Sequence, residues 1–368
     1  MRVAILGNDI HALYNTKYEV IKAIVDAGFD VNIVCADGLN REKLEKLGVT
    51  IHLMDVRRHS KNPLNDILVF KNYNKLIKEI NPDIVFTFNI KPNIYGGMVC
   101  RIKKIPYMPN ITGLGTAVEY PGIMQKITVF LYRRAMKNAD CIFFQNTSNK
   151  LFFEQHRIYG KSSRILPGSG VNLEKFKLLS YPDTKETHFM FIARILKEKG
   201  IDQYIEAAEE IKKRHSNVIF DVIGQCDDDK YINVLKSYND RGIIKYHGVQ
   251  KNTLEFQKFN SCTVLPSYYP EGMNNVLLES AACGRPIITT DRSGCGEIID
   301  DGENGYIVKQ QDSNDLIEKI EVFLNLSYDE RRRMGLNGRQ KIEKEFDRRF
   351  VVEAYIEEIS RKFNIELV

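Results

Sequence analysis

Apolar runs and amphipathic stretches alternate along almost the whole chain. Residues 2–6 predict a strand ending at Gly7. Tyr18, Val20, Ile21, Ile24 and Val25 then recur at helical spacing up to Gly28, and 31–35 predict the next strand. Further strands are predicted at 51–54, 84–88, 107–111 and 141–145, with helices at 64–80, 93–102 and 122–137 among them. Strands alternating with helices make a parallel sheet covered on both faces.

At 166–187 the rhythm breaks into Pro-Gly-Ser-Gly and Ser-Tyr-Pro-Asp, which marks a domain junction. It restarts with strands at 189–192, 218–223, 244–247, 262–265 and 287–290. Helices are predicted at 201–215, around 231–238, after Thr253 and from Asn275; the tail is charged and helical from Ser327 and amphipathic over 350–363. The pattern implies an α/β protein of two doubly wound domains, 1–170 and 171–346, with 347–368 as a terminal helix. Ligands of open parallel sheets sit beyond the carboxyl ends of the strands, so chemistry is expected in the loops that follow them.

Composition narrows the classes. The 368 residues are 43% hydrophobic and 27% charged, an ordinary globular balance at two-domain length. No basic segment and apolar run open the chain, and no stretch of about 18 apolar residues interrupts it, which argues against a secretory leader and a membrane span. Seven cysteines, scattered and never in a CxxC pair, fit reduced thiols in the cytoplasm. Charge is unevenly placed. Residues 1–180 hold 26 Lys and Arg against 15 Asp and Glu, a balance of +11, while 181–368 hold 27 against 33, a balance of −6. The first half is therefore expected to meet something anionic: nucleic acid, phosphate or a membrane face.

Four loops stand out. After the strand at 262–265 comes Pro266-Ser-Tyr-Tyr-Pro-Glu271-Gly-Met-Asn-Asn-Val-Leu-Leu-Glu279, in which a helix opens near Asn274 or Asn275. Its free N–H groups and positive dipole end suit a diphosphate, although a simply capped helix with dipole-friendly acids fits the same residues. After 189–192 comes Arg194-Ile-Leu-Lys-Glu-Lys199-Gly200, one guanidinium fork and one point charge for phosphate oxygens, or a solvated charge run. Gly7-Asn8-Asp9-Ile10-His11 follows the first strand without the GxGxxG spacing of a dinucleotide site. Asn89 and Pro109-Asn110-Ile-Thr112-Gly113-Leu-Gly115 form the fourth.

Taken together, Arg194, Lys199-Gly200, Ile223-Gly224, Glu271…Glu279 and Gly294…Glu297…Asp301-Gly302-Glu-Asn-Gly305 resemble, in order and over the whole chain, the family 4 retaining glycosyltransferases of the GT-B fold. The resemblance implies two facing Rossmann-like domains with an interdomain cleft, the terminal helix crossing back to the first. It implies that Arg194 and Lys199 neutralise the diphosphate of a nucleotide sugar and that Glu279 accepts from the ribose hydroxyls. The backbone of Asn275, Val276 and Leu277 would face phosphate and ribose; Glu271, Met273 and Asn274 would meet the donor sugar. Gly224 and the stretch His247-Gly248-Val249 correspond to the base wall, and Gly7 to a close approach beside the diphosphate. The preferred nucleotide is UDP. Glu271 is a nucleophile, an ion stabiliser or a sugar contact. No cofactor and no metal are expected, since the Arg/Lys pair supplies the charge a cation otherwise would; Asp227-Asp228-Asp229 reads as a solvated loop.

The Asn-Ile-Thr-Gly-Leu-Gly run is similar to bacterial enzymes that extend polyprenyl-diphosphate-linked sugars for O-antigen, capsule or glycoprotein glycans. Many members place a histidine here; this chain has none from 60 to 155, and Asn110 and Thr112 are the candidate replacements. In the helix 122–137, Lys126, Arg133 and Lys137 fall within about 40° at 100° per residue, Arg134 adds to them, and Ile123 and Phe130 lie near. Met124, Ile127, Leu131 and Ala135 are expected to face the core. The basic side suits anionic headgroups, with Lys91, Arg101, Lys103 and Lys104 extending it, or plain solvent.

The expected protein is thus a hexosyl- or N-acetylhexosaminyltransferase, using a UDP-sugar and a polyprenyl-diphosphate-linked saccharide. It would sit in the cytoplasm, peripherally on the inner membrane face, with no nucleic acid partner. Nothing in the pattern sets an oligomeric state. The rivals are a UDP-N-acetylhexosamine 2-epimerase on the same fold and a non-enzymatic lipid- or RNA-binding protein.

Overall fold

The computed structural model describes residues 1–54, 63–115 and 118–366. The chain divides into two compact units. One comprises Met1–Gly170, Pro270–Met273 and Arg348–Val368, the other Val171–Tyr269 and Asn274–Asp347. Four residues inside the expected second domain, Pro270–Met273, therefore group with the first unit.

Among the described residues the first unit holds seven strands: β1 (Arg2–Asp9), β2 (Asp30–Ala36), β3 (Thr50–Leu53), β4 (Ile84–Phe88), β5 (Tyr107–Ile111), β6 (Ile142–Phe144) and β7 (Ser163–Ile165). They are parallel, in the order β3-β2-β1-β4-β5-β6-β7. The helices are α1 (Ile10–Asp26), α2 (Arg41–Glu45), α3 (Pro63–Ile80), α4 (Gly97–Lys103, after a π-helical turn Pro92–Gly96), α5 (Ile123–Met136) and α6 (Thr147–Gln155). The second unit holds six: β8 (Thr187–Ile192), β9 (Val218–Ile223), β10 (Lys245–Tyr246), β11 (Cys262–Leu265), β12 (Ile287–Thr290) and β13 (Gly305–Val308), in the order β10-β9-β8-β11-β12-β13. Around it lie α7 (Ile201–Lys212), α8 (Asp229–Asp240), α9 (Leu254–Gln257), α10 (Asn275–Ala282), α11 (Ser313–Asn325) and α12 (Tyr328–Glu345); α13 (Arg348–Phe363) ends the chain. Strand order reverses between β1 and β4 and again between β8 and β11, and it is outside such reversal points that doubly wound sheets bind ligands.

Apolar cores cover both faces of the first sheet. On one of them α13 lies beside α1, and Tyr355 stacks on Phe143 at 4.5 Å and meets Phe86 at 5.4 Å. All seven cysteines are free and six are buried. The Gly7–His11 stretch is not a loop: β1 continues through a register shift to Asp9, whose carboxylate accepts from Ala12 N at 2.7 Å and starts α1 at once. Asp228, expected in a solvated loop, caps α8 by accepting from Lys230 N.

Lys17 on α1 is buried beside the Pro167–Gly170 turn, its ammonium 3.3 Å from Ser169 Oγ and over the Phe88 ring. Arg348 binds the carbonyls of Ser169 and Gly170 and the Glu19 carboxylate. Burial, and then the Arg348 charge, lower Lys17 from 10.5 to about 7. Below pH 7 the folded and unfolded chains both carry that proton, so the full cost of a buried charge opposes folding. Between 7 and 10.5 only the unfolded chain keeps it, and the cost fades. Stability should therefore rise with pH across this window. Lys17→Met should raise the calorimetric melting temperature at pH 7, by an amount equivalent to a few kcal/mol at most (roughly 1.4 per pKa unit), and by less near pH 10.

Candidate active site

The second unit gathers its exit loops by backbone hydrogen bonds. Beyond β8 and β9, Ala193 N donates to Ile223 O at 3.1 Å and Ile195 N to Gln225 O at 2.8 Å; Gly224 N reaches Gly248 O beyond β10 at 2.9 Å. Gly224 has φ +151, and a Cβ there would lie 1.7 Å from Ala193 O, so no other residue fits. Arg194 is exposed at the head of this zipped edge, and Val249 is exposed beside Gly248.

Lys199 ends a single 3-10 turn (Lys197–Lys199) and Gly200 follows at φ +81, so close to Pro266 that a Cβ would stand 2.3 Å from its carbonyl oxygen. Tyr268 N donates to Glu198 O at 2.9 Å, fastening this loop to the exit of β11. The Lys199 ammonium lies over the Tyr269 ring at 5.0 Å and is nearly enclosed, 9% exposed. Burial lowers it to about 8, with Arg194 pushing the same way and Cys295 opposing. Tyr269 and Cys295, its neighbours here, carry no motif that would mark them in the sequence.

Asn274 caps α10, its Oδ1 accepting from Leu277 N at 3.2 Å. Its own N–H donates to Gly294 O at 2.8 Å, and Glu297 holds that turn by accepting from Gly294 N at 2.6 Å and Ser293 Oγ at 3.0 Å. The Gly294…Glu297 motif thus braces the helix mouth. Leu277, fully buried and with its N–H taken by the cap, is not a donor for a ligand as expected. The N–H groups of Asn275 and Val276 have no protein acceptor among the described residues and remain as the mouth's donors. The Val276 side chain packs on Met190, Ile192 and Ile223, and Glu279 is half-buried one turn along α10.

In the first unit, Asn146 Nδ2 donates to the carbonyls of Glu271 and Gly272 at 3.1 and 2.6 Å. The exit of β6 thereby holds the backbone that carries Glu271, while Met273 is buried against Gly168. Thr112 is half-buried and accepts from Asn89 Nδ2 at 3.3 Å. Asn110 is wholly buried, donating to Tyr355 Oη on α13 while its carbonyl accepts from Asn93. It is a core tie and cannot touch an acceptor. Gly7 is likewise enclosed within β1, against Leu13.

Helix α5 follows the expected orientation at Leu131 and Ala135 and at Ile123, Phe130 and the cations, and departs from it at Met124 and Ile127, which were expected in the core and are exposed. Thr128, Val129, Tyr132, Ala135 and Met136 face the core, whereas Ile123 (77%), Met124 (54%), Ile127 (48%) and Phe130 (54%) are exposed, as are Lys126, Arg133, Arg134 and Lys137. Lys91 leaves the basic set, held by Asp66 at 3.1 Å. Among the described residues no helix is long and apolar enough to cross a membrane, and no three His, Cys, Asp or Glu side chains are placed to hold a metal ion.

Residues 174–341 match the family model described as "Glycosyl transferases group 1", and residues 2–146 match "Glycosyl transferase 4-like". The chain is 28% identical over 356 residues, 91% of its length and 92% of the relative's, to the N,N'-diacetylbacillosaminyl-diphospho-undecaprenol alpha-1,3-N-acetylgalactosaminyltransferase of Campylobacter jejuni. It is 25% identical over 354 residues, 88% of each chain, to the capsular polysaccharide biosynthesis glycosyltransferase CapM of Staphylococcus aureus. Among solved structures it is similar to Anabaena HepE in complex with UDP and glucose, with a TM-score of 0.80 and 15% identity over 98% of this chain and all of that one.

Proposed function

The chain belongs to the glycosyltransferases of the GT-B fold, and from that premise we propose that it transfers an N-acetylhexosaminyl or hexosyl group from a UDP-sugar to a polyprenyl-diphosphate-linked saccharide, with retention at the anomeric carbon, in bacterial surface-glycan assembly. The observation that carries the reading is the pairing, at the carboxyl edge of the second sheet, of two cationic side chains with a helix mouth whose first N–H groups have no protein acceptor among the described residues. A relative named for N-acetylgalactosaminyl transfer to a diphospho-undecaprenol saccharide supports the donor and acceptor classes.

In this reading Arg194 and Lys199 take the charge that develops on departing UDP, and the Asn275 and Val276 N–H groups hold its phosphate oxygens. Glu279 accepts from the ribose, Val249 flanks the base, and Glu271 is the carboxylate assigned to the donor sugar. The acceptor hydroxyl oxygen bonds to the anomeric carbon as the bond to the β-phosphate oxygen breaks. That phosphate takes the hydroxyl proton, so no separate protein base is required. The rate comes from positioning and fixed charge. The first unit receives the acceptor, with Thr112 near it, and the exposed face of α5 rests on an anionic membrane surface.

The test is a panel of radiolabelled UDP-sugars offered with short polyprenyl-diphosphate-linked acceptors. Label should pass to the lipid fraction from one UDP-N-acetylhexosamine or UDP-hexose. No transfer from any donor, with a 2-epimer formed when acceptor is left out, would replace this reading by the epimerase.

A further inference from the structure

A groove of about 370 Å³ opens at the amino edge of the first sheet, opposite the edge that carries Thr112. Its walls include Pro106 and Tyr107 at the start of β5, Asn138 just beyond α5, and the side chains of Arg101, Lys104, Lys161 and Lys362. Asp140 at its floor accepts from Lys161 Nζ at 2.9 Å and Lys362 Nζ at 2.7 Å. Each ammonium carries three donors and spends one there, so a single carboxylate fixes two cations at the groove. Four cations against one anion leave the groove strongly positive. Lys104, which closes α4, has φ +58, a backbone conformation unfavourable to an L side chain, yet it carries a long cation to the groove wall.

The groove adjoins α5. Arg101 donates to Arg134 O at 2.9 Å, and Arg134 lies over the Phe130 ring. Ile123, Ile127, Phe130 and Arg134 follow one another at i, i+4, i+7 and i+11, a single stripe down the exposed side of the helix. Because α5 starts after the carboxyl-edge loop and returns to the amino edge, the stripe runs the helix's length, about 20 Å, and ends at the groove.

We propose that this groove binds the phosphate of an anionic lipid headgroup while the α5 stripe lies in the adjoining membrane surface. The occupant follows from complementarity: apolar residues continuous with a concave cationic site match an amphiphile whose phosphate stands at the rim of an apolar layer. The inference rests on the membrane contact proposed above but not on the donor chemistry.

The experiment is co-sedimentation of the full chain with vesicles of phosphatidylcholine alone, or of equal parts phosphatidylcholine and phosphatidylglycerol. The wild type should favour the anionic vesicles. Lys104→Gln with Lys161→Gln should lower that partition about thirtyfold, and Lys104→Glu, which leaves the Asp140 pairing intact, should lower it comparably. Lys43→Gln with Lys46→Gln, two exposed lysines on or beside α2, should change it little. Transfer to a water-soluble acceptor should be unchanged in the groove variants, which separates failure of this site from failure of the enzyme. Equal losses in groove and control variants would mean diffuse attraction and overturn the proposal. So would equal sedimentation with both vesicle types, or binding of inorganic phosphate at the groove (by NMR) without any preference for anionic vesicles.

Discussion

Arg194→Ala and Lys199→Ala should each lower kcat/KM for the sugar donor by about a hundred- to a thousandfold, the usual loss when a preorganised group is removed from developing negative charge. The two differ in what else they disturb. Arg194 is exposed, so its removal leaves the loop's packing intact. Lys199 lies over Tyr269 in a nearly closed site, so its removal also opens a small void. A pH series distinguishes charge from packing. With its ammonium at about 8, Lys199 is cationic below that pH and neutral above it, so wild-type kcat/KM should fall as pH rises through 8. Lys199→Arg, charged throughout, should give a lower but flat profile over the same range. A wild-type profile level to pH 10 would remove Lys199 from the charge-neutralising role.

Gly224→Ala should be among the most damaging single changes in the second unit. At φ +151 an L side chain is strained whatever the space, and here its Cβ would overlap Ala193 O. Either Ala193 moves, breaking the hydrogen bonds from Ala193 and Ile195 to the β9 exit, or Gly224 moves and loses Gly248 O. The expected cost is about 3 kcal/mol or more from strain and lost hydrogen bonds, read as a fall in the second unit's urea midpoint. Donor binding should weaken with it, since Arg194 stands on the displaced segment. Gly302→Ala, at φ +82 with open space around it, should cost only the positive-φ strain and leave donor binding unchanged.

Much of this was legible beforehand. The strands Ile84–Phe88, Tyr107–Ile111, Val218–Ile223, Cys262–Leu265 and Ile287–Thr290 agree with expectation to the residue, because strands buried on both faces are continuous apolar runs bounded by turn residues. Not predicted from the sequence are the weakly apolar α6 (TSNKLFFEQ), the short β7 and α2, and β13, which opens on a glycine; nor is α11, although Leu316, Ile320 and Phe323 give that helix a clear buried stripe. Helix α5 shows a different limit. Its angular spacing located the charges, but which side is buried depends on what the neighbouring helices offer. Here small Ala135 and Thr128 and the Tyr132 ring fit the core, while Met124 and Ile127, expected there, do not enter it. At the site, Arg194, Lys199 and the Asn274 cap were readable as motifs. Asn110 misled because an asparagine at a strand end reads the same whether it faces a ligand or, as here, ties the sheet to a helix some 245 residues along the chain.

Titration calorimetry of UDP into the wild type and into Arg194→Ala, Lys199→Ala and the double variant tests the central assignment most directly. Saturable one-to-one binding at micromolar to millimolar affinity is expected, weakened at least tenfold by either substitution and abolished by both, without added metal. Absence of heat from UDP with the wild type, or equal binding by the double variant, would contradict it.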